Sequence, residues 1–435
     1  MKNYRPIAIM NACAKIFEKV LKPYLTSYIY PLISEAQHGF MPKRSTTTNL
    51  ITLTNDLSNS FNAYSQTDVL YFDFSKAFDK VNHNVLIKKL FKTDLPKYLI
   101  FWIMDYLCNR VYRITINGYN SDLFITNMGV PQGSILGPIL FLIFINDLPS
   151  ELSYSKCLLF ADDVKIYKNI NSTSDCEKLN TDATKIYKWC LDNKMELNAS
   201  KCIMISYHNI SSPFIYFYSI NHVPLIRAHS VKDLGIIFDD KLSFDLHLKH
   251  ITSKAYQALG FLMHRSKEFR NTNTFIYLYT ALVRPILDYG STIWNPYTDK
   301  DILTLEKIQR KFIRFIRFKS NMSYISYEPL CHNLSIPLLI NRRSLTDSLF
   351  IFKLLNYKID SSHLLSLIYF IYHHYNCRTS NLFFTTNKIN NNIKFNSPID
   401  RSCRNLNVYI NTDTTIDIFT DSKKDFCFKI LATLK

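Results

Sequence analysis

An α+β fold is predicted for this 435-residue chain by two observations. Apolar runs of strand length are interspersed irregularly with longer segments whose apolar residues recur at helical spacing, unlike the regular alternation of a doubly wound sheet. After about residue 245 the strand-like runs give way to a mostly helical pattern.

Cys13 to Tyr30 carries its apolar residues at helical spacing, and Thr46 to Phe61 follows the turn-like GFMPKRST, so both read as helices. A strand over Asp68 to Phe74 comes next, and Ser75 to Asp79 leads into a helix through Leu86 and Leu90. Trp102 to Thr126 reads as a helix and then a hairpin, with Asn117-Gly118 at the turn. GPILFLIFINDL is apolar all round and predicts a buried helix. LLFADDVKIY predicts a hairpin, followed by a helix from about Ser174 to Asn193 and strands near Lys201 to Tyr207 and Leu234 to Phe238. FIYLYTALVRPILDYGSTIW and DILTLEKIQRKFIRFIRFK are the clearest helical segments thereafter. Near residue 375 the pattern weakens again, into the Asn-rich NKINNNIKFN.

Composition narrows the class of protein. The 52 Lys and Arg outnumber the 35 Asp and Glu, and a net charge of +17 suits a polyanion, with nucleic acid the leading candidate. A codon bias toward Asn, Lys, Ile, Tyr and Phe is the plain alternative source of that lysine. The longest apolar runs, such as Ile139 to Ile145, are too short to span a bilayer, so no membrane partner is expected. Nothing resembles a signal peptide, and ten scattered cysteines without a CxxC pair suit reduced thiols in an intracellular setting. Only eight glycines occur, and three of them, Gly129, Gly133 and Gly137, fall within GVPQGSILG. Such a cluster points to backbone that bends tightly or lets a ligand approach.

Asp162 and Asp163 stand side by side at the predicted turn of FADD, where their repulsion asks for a cation. Aspartate is also an ordinary turn residue. A second acidic position, Asp73, lies near the end of the apolar strand VLYFDF, and two such strands can converge in one sheet. Hard carboxylate ligands suit Mg²⁺, with Mn²⁺ as a substitute. Two ions could activate a 3′-hydroxyl and stabilise a leaving pyrophosphate.

Seven stretches in order resemble the reverse transcriptase of non-LTR retrotransposons, especially the jockey-like lineage: NYRPIAIMNACAKIFEKVL, QHGFMPKRSTTTNL, YFDFSKAFDKVNH, GVPQGSILGPILFLIFINDLP, FADDVKIY, NKMELNASK and KDLGIIFDDKLSFDLH. The resemblance covers residues 3 to about 320. It implies a right-hand polymerase with fingers, palm and thumb, followed by a mostly helical C-terminal region. It also implies an RNA-directed DNA polymerase whose partners are an RNA template, a DNA primer and deoxyribonucleoside triphosphates.

Roles follow where positions match. Asp73 and Asp162 are the implied principal metal ligands, with Asp163 beside them and the Phe74 carbonyl assisting. Phe78 matches the aromatic that excludes a 2′-hydroxyl, and Gln132 and Gly133 match residues near the incoming nucleotide and template. Lys201 matches a lysine that protonates the leaving pyrophosphate, which is general acid chemistry. Lys43 and Arg44 are candidates to hold the triphosphate, since a forked guanidinium suits phosphate oxygens. Asp79 is expected to orient the palm helix by an N-terminal hydrogen bond. Lys307, Arg310, Lys311, Arg314 and Arg317 recur at helical spacing with Leu305, Ile308, Phe312 and Ile316 on another face, a basic amphipathic helix suited to template–primer phosphates. Packing is the plain alternative for Phe78, and solvated charge is the alternative for the lysines and arginines.

The expected organisation is fingers and palm over 1–245, truncated at the N-terminus, a helical thumb-like region over 246–320, and a region of unknown role over 321–435. Little precedes NYRPI, so endonuclease function is expected to come from elsewhere. Compartment is expected to be nuclear or a cytoplasmic ribonucleoprotein. Two further readings stay open: a truncated copy that binds RNA without synthesis, and an intron-encoded splicing cofactor with a related polymerase domain.

Overall fold

The computed structural model describes residues 7–108, 110–371, 381–384 and 391–434. The opening NYRP of the first motif and much of the Asn-rich stretch lie outside the described residues. The chain divides into two compact units.

The first unit comprises 1–45, 65–206 and 210–228. Its helices are α1 (Ala12–Ile29), α2 (His83–Leu90), α3 (Lys97–Leu107), α4 (Gly137–Ile145) and α5 (Thr173–Asp192). Its sheet has strands β1 (Gln66–Phe72), β2 (Lys156–Phe160), β3 (Asp163–Ile170), β4 (Ile203–Tyr207) and β5 (Ile226–Arg227), in the order β5-β4-β1-β3-β2. The expected α+β class and the elements read from the sequence are therefore present, most ends shifted by one or two residues, while the helix expected from Trp102 begins at Lys97 and the one expected over GPILFLIFINDL ends at Ile145. The expected Asn117-Gly118 turn also forms, both residues taking positive φ (51° and 84°), the conformation that a two-residue hairpin turn favours.

β1 is central and antiparallel to β3, and it buries apolar residues on both faces, which is why it reads as a nearly continuous apolar run. α4 is buried at every position except Pro138, whose missing N–H costs nothing in a helix's first turn. One core runs from Leu25 and Ile29 of α1 through Leu70 and Phe72, Leu86, Ile103 and Phe141 to Ile166, Leu179 and Trp189. A buried carboxylate beside it is paired. The carboxylate of Asp68 on β1, fully buried, accepts from Tyr218 Oη and Gln66 Nε2, both at 2.7 Å. Burial pushes its pKa up.

The second unit comprises 46–64, 207–209 and 229–435, so the division expected at 245/246 falls inside it. It holds a helix over Thr46–Asn62, a hairpin over 230–239, and the helices α6 (Asp245–Arg265), α7 (Asp299–Lys319), α8 (Leu339–Leu355) and α9 (Pro398–Thr412), with shorter helices between. FIYLYTALVRPILDYGSTIW is broken into helices over Thr272–Leu282, Arg284–Asp288 and Ser291–Trp294. Pro285 cannot continue the i to i−4 ladder, and Gly290 takes φ +63. Arg401 of α9 donates to Asp347 of α8 at 2.8 Å and to the Thr292 carbonyl at 2.6 Å, a buried pair with its hydrogen bonds met. Among the described residues no helix is long and apolar enough to cross a membrane, and the nine described cysteines are free thiols.

Candidate active site

The site begins with strand pairing. β1 and β3 run antiparallel with Phe72 opposite Val164, and continuing that register one step sets Asp73 across from Asp163. Phe160 pairs with Asp163, so the β2–β3 hairpin closes through Ala161 and Asp162 alone. Ala161 sits at φ +57, a left-handed conformation that costs an L-residue on the order of 1 kcal/mol. The backbone thus places three acidic residues from two distant stretches at one end of the sheet.

Backbone bonds fix that end. Asn198 donates to the Asp73 carbonyl at 2.7 Å and Ser75 donates to the Glu196 carbonyl at 2.8 Å, flanking the Phe74–Leu197 bridge. The Phe74 carbonyl takes no part in those two bonds. The turn that follows brings Lys201 back, with Nζ 3.6 Å from Asp73 Oδ2. Both groups face solvent, at 66% and 37% exposure, so the pair is screened and accessible rather than structural. The contrast with Asp68 on β1 is informative: that carboxylate is sealed and satisfied, and Asp73, just past the strand's end, is open.

Phe78 lies in a short 3₁₀ turn over Ala77–Lys80, ahead of α2. Its ring stacks on Phe141 of α4 at 4.4 Å and meets Phe40 edge to face at 6.1 Å. The GVPQGSILG loop is tied to this turn, Val130 donating to the Phe78 carbonyl and Gly129 to the Val81 carbonyl, each at 2.8 Å. Gly129 takes φ +87, and a Cβ there would lie 2.7 Å from the Asp79 carbonyl oxygen, so only glycine permits the approach. Gln132 donates to Asp79 Oδ1 at 2.7 Å, and its carbonyl accepts from Ala8 at 2.7 Å. Gly133 follows at φ +104.

Two expectations change. The bond that orients α2 comes from Asn82, whose side chain accepts from Val85 N at 3.1 Å, because Asp79 lies one turn too early and holds Gln132 instead. Arg44 directs Nη1 to the carbonyls of Ser34, Glu35 and Gln37 at 3.3, 3.2 and 2.8 Å, so it binds its own turn, while Lys43 is exposed. Lys307, Arg310, Arg314 and Arg317 belong to the second unit, on α7. Lys307 and Arg314 are exposed, whereas Arg310 stacks on Tyr327 at 4.8 Å and Arg317 on Tyr324 at 5.0 Å.

Glu18 escaped the sequence reading. It is 1% exposed in α1, and its carboxylate accepts from Ile135 N and from Tyr106 Oη, both at 2.6 Å. It anchors the GVPQGSILG loop where the loop enters α4. An acidic residue on the inward face of an apolar helix was the available signal.

Among the described residues no three His, Cys, Asp or Glu side chains converge as a ready-made metal cluster. The donors at the sheet end are nevertheless of the right kind, hard carboxylate oxygens partly open to solvent. Mg²⁺ asks for one or two such carboxylates and completes its shell with water and substrate phosphate, so the residues fit.

Residues 1–238, over half of the chain, match the family model described as Reverse transcriptase (RNA-dependent DNA polymerase), and the chain belongs to that family. Its fold class is accordingly the right-hand polymerase, followed by a mostly helical C-terminal region. The chain is similar to the probable RNA-directed DNA polymerase from transposon BS of Drosophila melanogaster, 28% identical over 72% of this chain and 36% of that one. It is likewise similar to the RNA-directed DNA polymerase from mobile element jockey of Drosophila funebris, 27% identical over 72% of this chain and 35% of the relative. The chain spans about a third of the length of these relatives. Among solved structures, apo telomerase from Candida tropicalis aligns with 82% of this chain and 60% of its own, at 11% identity and a TM-score of 0.41.

Proposed function

We propose that the chain is an RNA-directed DNA polymerase that adds deoxyribonucleotides to a primer 3′ end on an RNA template, as part of retrotransposition. One observation carries this reading: the register that brings Asp73 to the Asp162–Asp163 hairpin, with Lys201 3.6 Å from Asp73. Asp73, Asp162, Asp163 and the Phe74 carbonyl would hold two Mg²⁺ ions, which supply Lewis-acid activation and charge neutralisation to phosphoryl transfer. Lys201, exposed beside Asp73, would give a proton to the leaving pyrophosphate. Phe78, backed by Phe141, presents a rigid aromatic edge that would collide with a ribose 2′-hydroxyl. Gln132, held by Asp79, and Gly133 form the facing surface for nucleotide and template, and exposed Lys43 is the freer cation for the triphosphate.

Primer extension by the purified chain on an RNA template tests the reading. Asp73→Asn and Asp162→Asn should each abolish synthesis, since phosphoryl transfer without its metal charge loses several kcal/mol of transition-state stabilisation. Their melting temperatures in the absence of metal should not fall, because each change relieves repulsion between like charges. Near-normal extension by either variant would remove that residue from the site, and no extension by the unmodified chain would favour a copy that binds RNA without copying it.

A further inference from the structure

Gln37 has the sequence context of an ordinary turn residue, in QHGF, yet it is only 2% exposed. Its Oε1 accepts two backbone N–H groups, that of Gly39 at 2.8 Å and that of Ala161 at 2.9 Å. The second is the amide at the tip of the carboxylate hairpin, directly before Asp162. Two donors on one oxygen fix which end of the carboxamide faces the turn, and Nε2 is buried without a partner.

The backbone around Gln37 lies along the hairpin. Leu159 donates to the Ala36 carbonyl at 2.8 Å and His38 donates to the Leu159 carbonyl at 2.9 Å, which makes Gln37 and Leu159 a parallel bridge on the edge of β2. A Cβ on Gly39 would stand 2.3 Å from Ala161 N, so residue 39 rests directly on the tip. From behind, Arg44 Nη1 donates to the Gln37 carbonyl at 2.8 Å. The segment is held at both ends, and the Gln37 carboxamide oxygen accepts a hydrogen bond from the tip.

We propose that Gln37 is a positioning residue for the hairpin carboxylates: by accepting from Ala161 N it holds Ala161 in its left-handed conformation and so sets the direction in which Asp162 and Asp163 leave the turn. This rests on the polymerase reading of the site. Ala161 is an L-residue at φ +57 in a loop of two residues, so the turn relaxes if the acceptor that secures it is removed. Carboxylates displaced by even a fraction of an ångström lower turnover more than they lower substrate affinity.

Gln37→Met keeps volume and removes the acceptor. With the full chain on oligo(dT)-primed poly(rA), kcat for dTTP should fall at least about tenfold, while KM and the metal-free template–primer Kd stay within roughly twofold. Adding Ala161→Gly should recover at least about threefold of that loss, because glycine adopts positive φ without help. Hydrogen–deuterium exchange over residues 158–163 gives a readout independent of synthesis: the Ala161 amide should be protected in the unmodified chain and exchange at least about tenfold faster in Gln37→Met. A Gln37→Met kcat within about twofold of the unmodified chain would overturn the inference, as would an Ala161 amide equally protected in both or a double variant no faster than Gln37→Met. Failure of the unmodified chain to extend any primer would instead sink the polymerase reading, and the exchange comparison would still decide whether Gln37 holds the turn.

Discussion

Phe78, the residue proposed to select the sugar, draws its rigidity from the rings behind it. Stacked on Phe141 at 4.4 Å and flanked by Phe40, it cannot swing aside to admit a larger sugar without disturbing the middle of α4. Phe78→Val should open that space with Asp73, Asp162 and Asp163 untouched. Single-nucleotide incorporation should then show the ribonucleotide to deoxyribonucleotide ratio rising at least about tenfold, equivalent to about 1.4 kcal/mol of lost discrimination. An unchanged ratio would make Phe78 a packing residue. His247 carries a different prediction, for stability. It is 1% exposed in α6, its Nδ1 accepts from Ile237 N at 3.3 Å, and its Nε2 is buried without a partner. Burial, reinforced by the nearby positive charge of His250 and Lys232, lowers its pKa to about 4. The folded state therefore favours neutral imidazole, and the stability this gives is fully present above the unfolded pKa of about 6.5 and lost as pH falls from there through about 4. The melting temperature of the unmodified chain should drop across that window more steeply than that of His247→Phe, whose ring cannot take a proton. Parallel pH profiles for the two proteins would refute the assignment.

At the scale of elements, α7 separates what spacing can reveal from what it cannot. Leu305, Ile308, Phe312 and Ile316 are fully buried as the 3.6-residue period requires, and Phe312 stacks on Tyr279 at 4.1 Å. The same face also buries Gln309, which accepts from Tyr279 Oη and donates to Tyr327 Oη, each at 3.1 Å, and no periodicity announces a satisfied polar residue of that kind. On the outer face the cations are unequal: Arg310 and Arg317 lie over tyrosine rings, while Lys307 and Arg314 stand in solvent. Lys307→Gln with Arg314→Gln should thus lower the salt slope of template–primer binding by up to about 0.7 to 0.9 log units for each phosphate left unneutralised, with no change in melting temperature. An unchanged slope would return α7 to a solvated face. Legibility followed the same line. Strands, helices and the carboxylate hairpin were readable because each is encoded within a few neighbouring residues. Glu18, Gln37 and the Asp79–Gln132 bond were not, since each depends on a partner roughly fifty or more residues away that only the folded chain supplies. The break at Pro285 was readable in principle, but the strong apolar period on either side of it concealed the interruption.

For the whole molecule, the excess of 52 basic over 35 acidic residues and the few carboxylates of the sheet end call for two independent behaviours. Affinity for a polyanion comes from releasing counterions, and every phosphate neutralised contributes about 0.9 log units of affinity per log unit of salt for duplex DNA and about 0.7 for a single strand. The carboxylates contribute nothing favourable to that affinity, because a negative group repels phosphate until a cation intervenes. Template–primer binding measured without divalent ions should consequently weaken steeply with added salt. In the same assay Asp162→Asn should bind at least as tightly as the unmodified chain, even as it loses synthesis. The two slopes should be parallel, since the substitution leaves the basic surface unchanged. A flat salt dependence would disconnect the net charge of +17 from nucleic-acid binding, and a variant that lost binding together with synthesis would mean that the carboxylates support the fold or the grip on the template and not the chemistry alone.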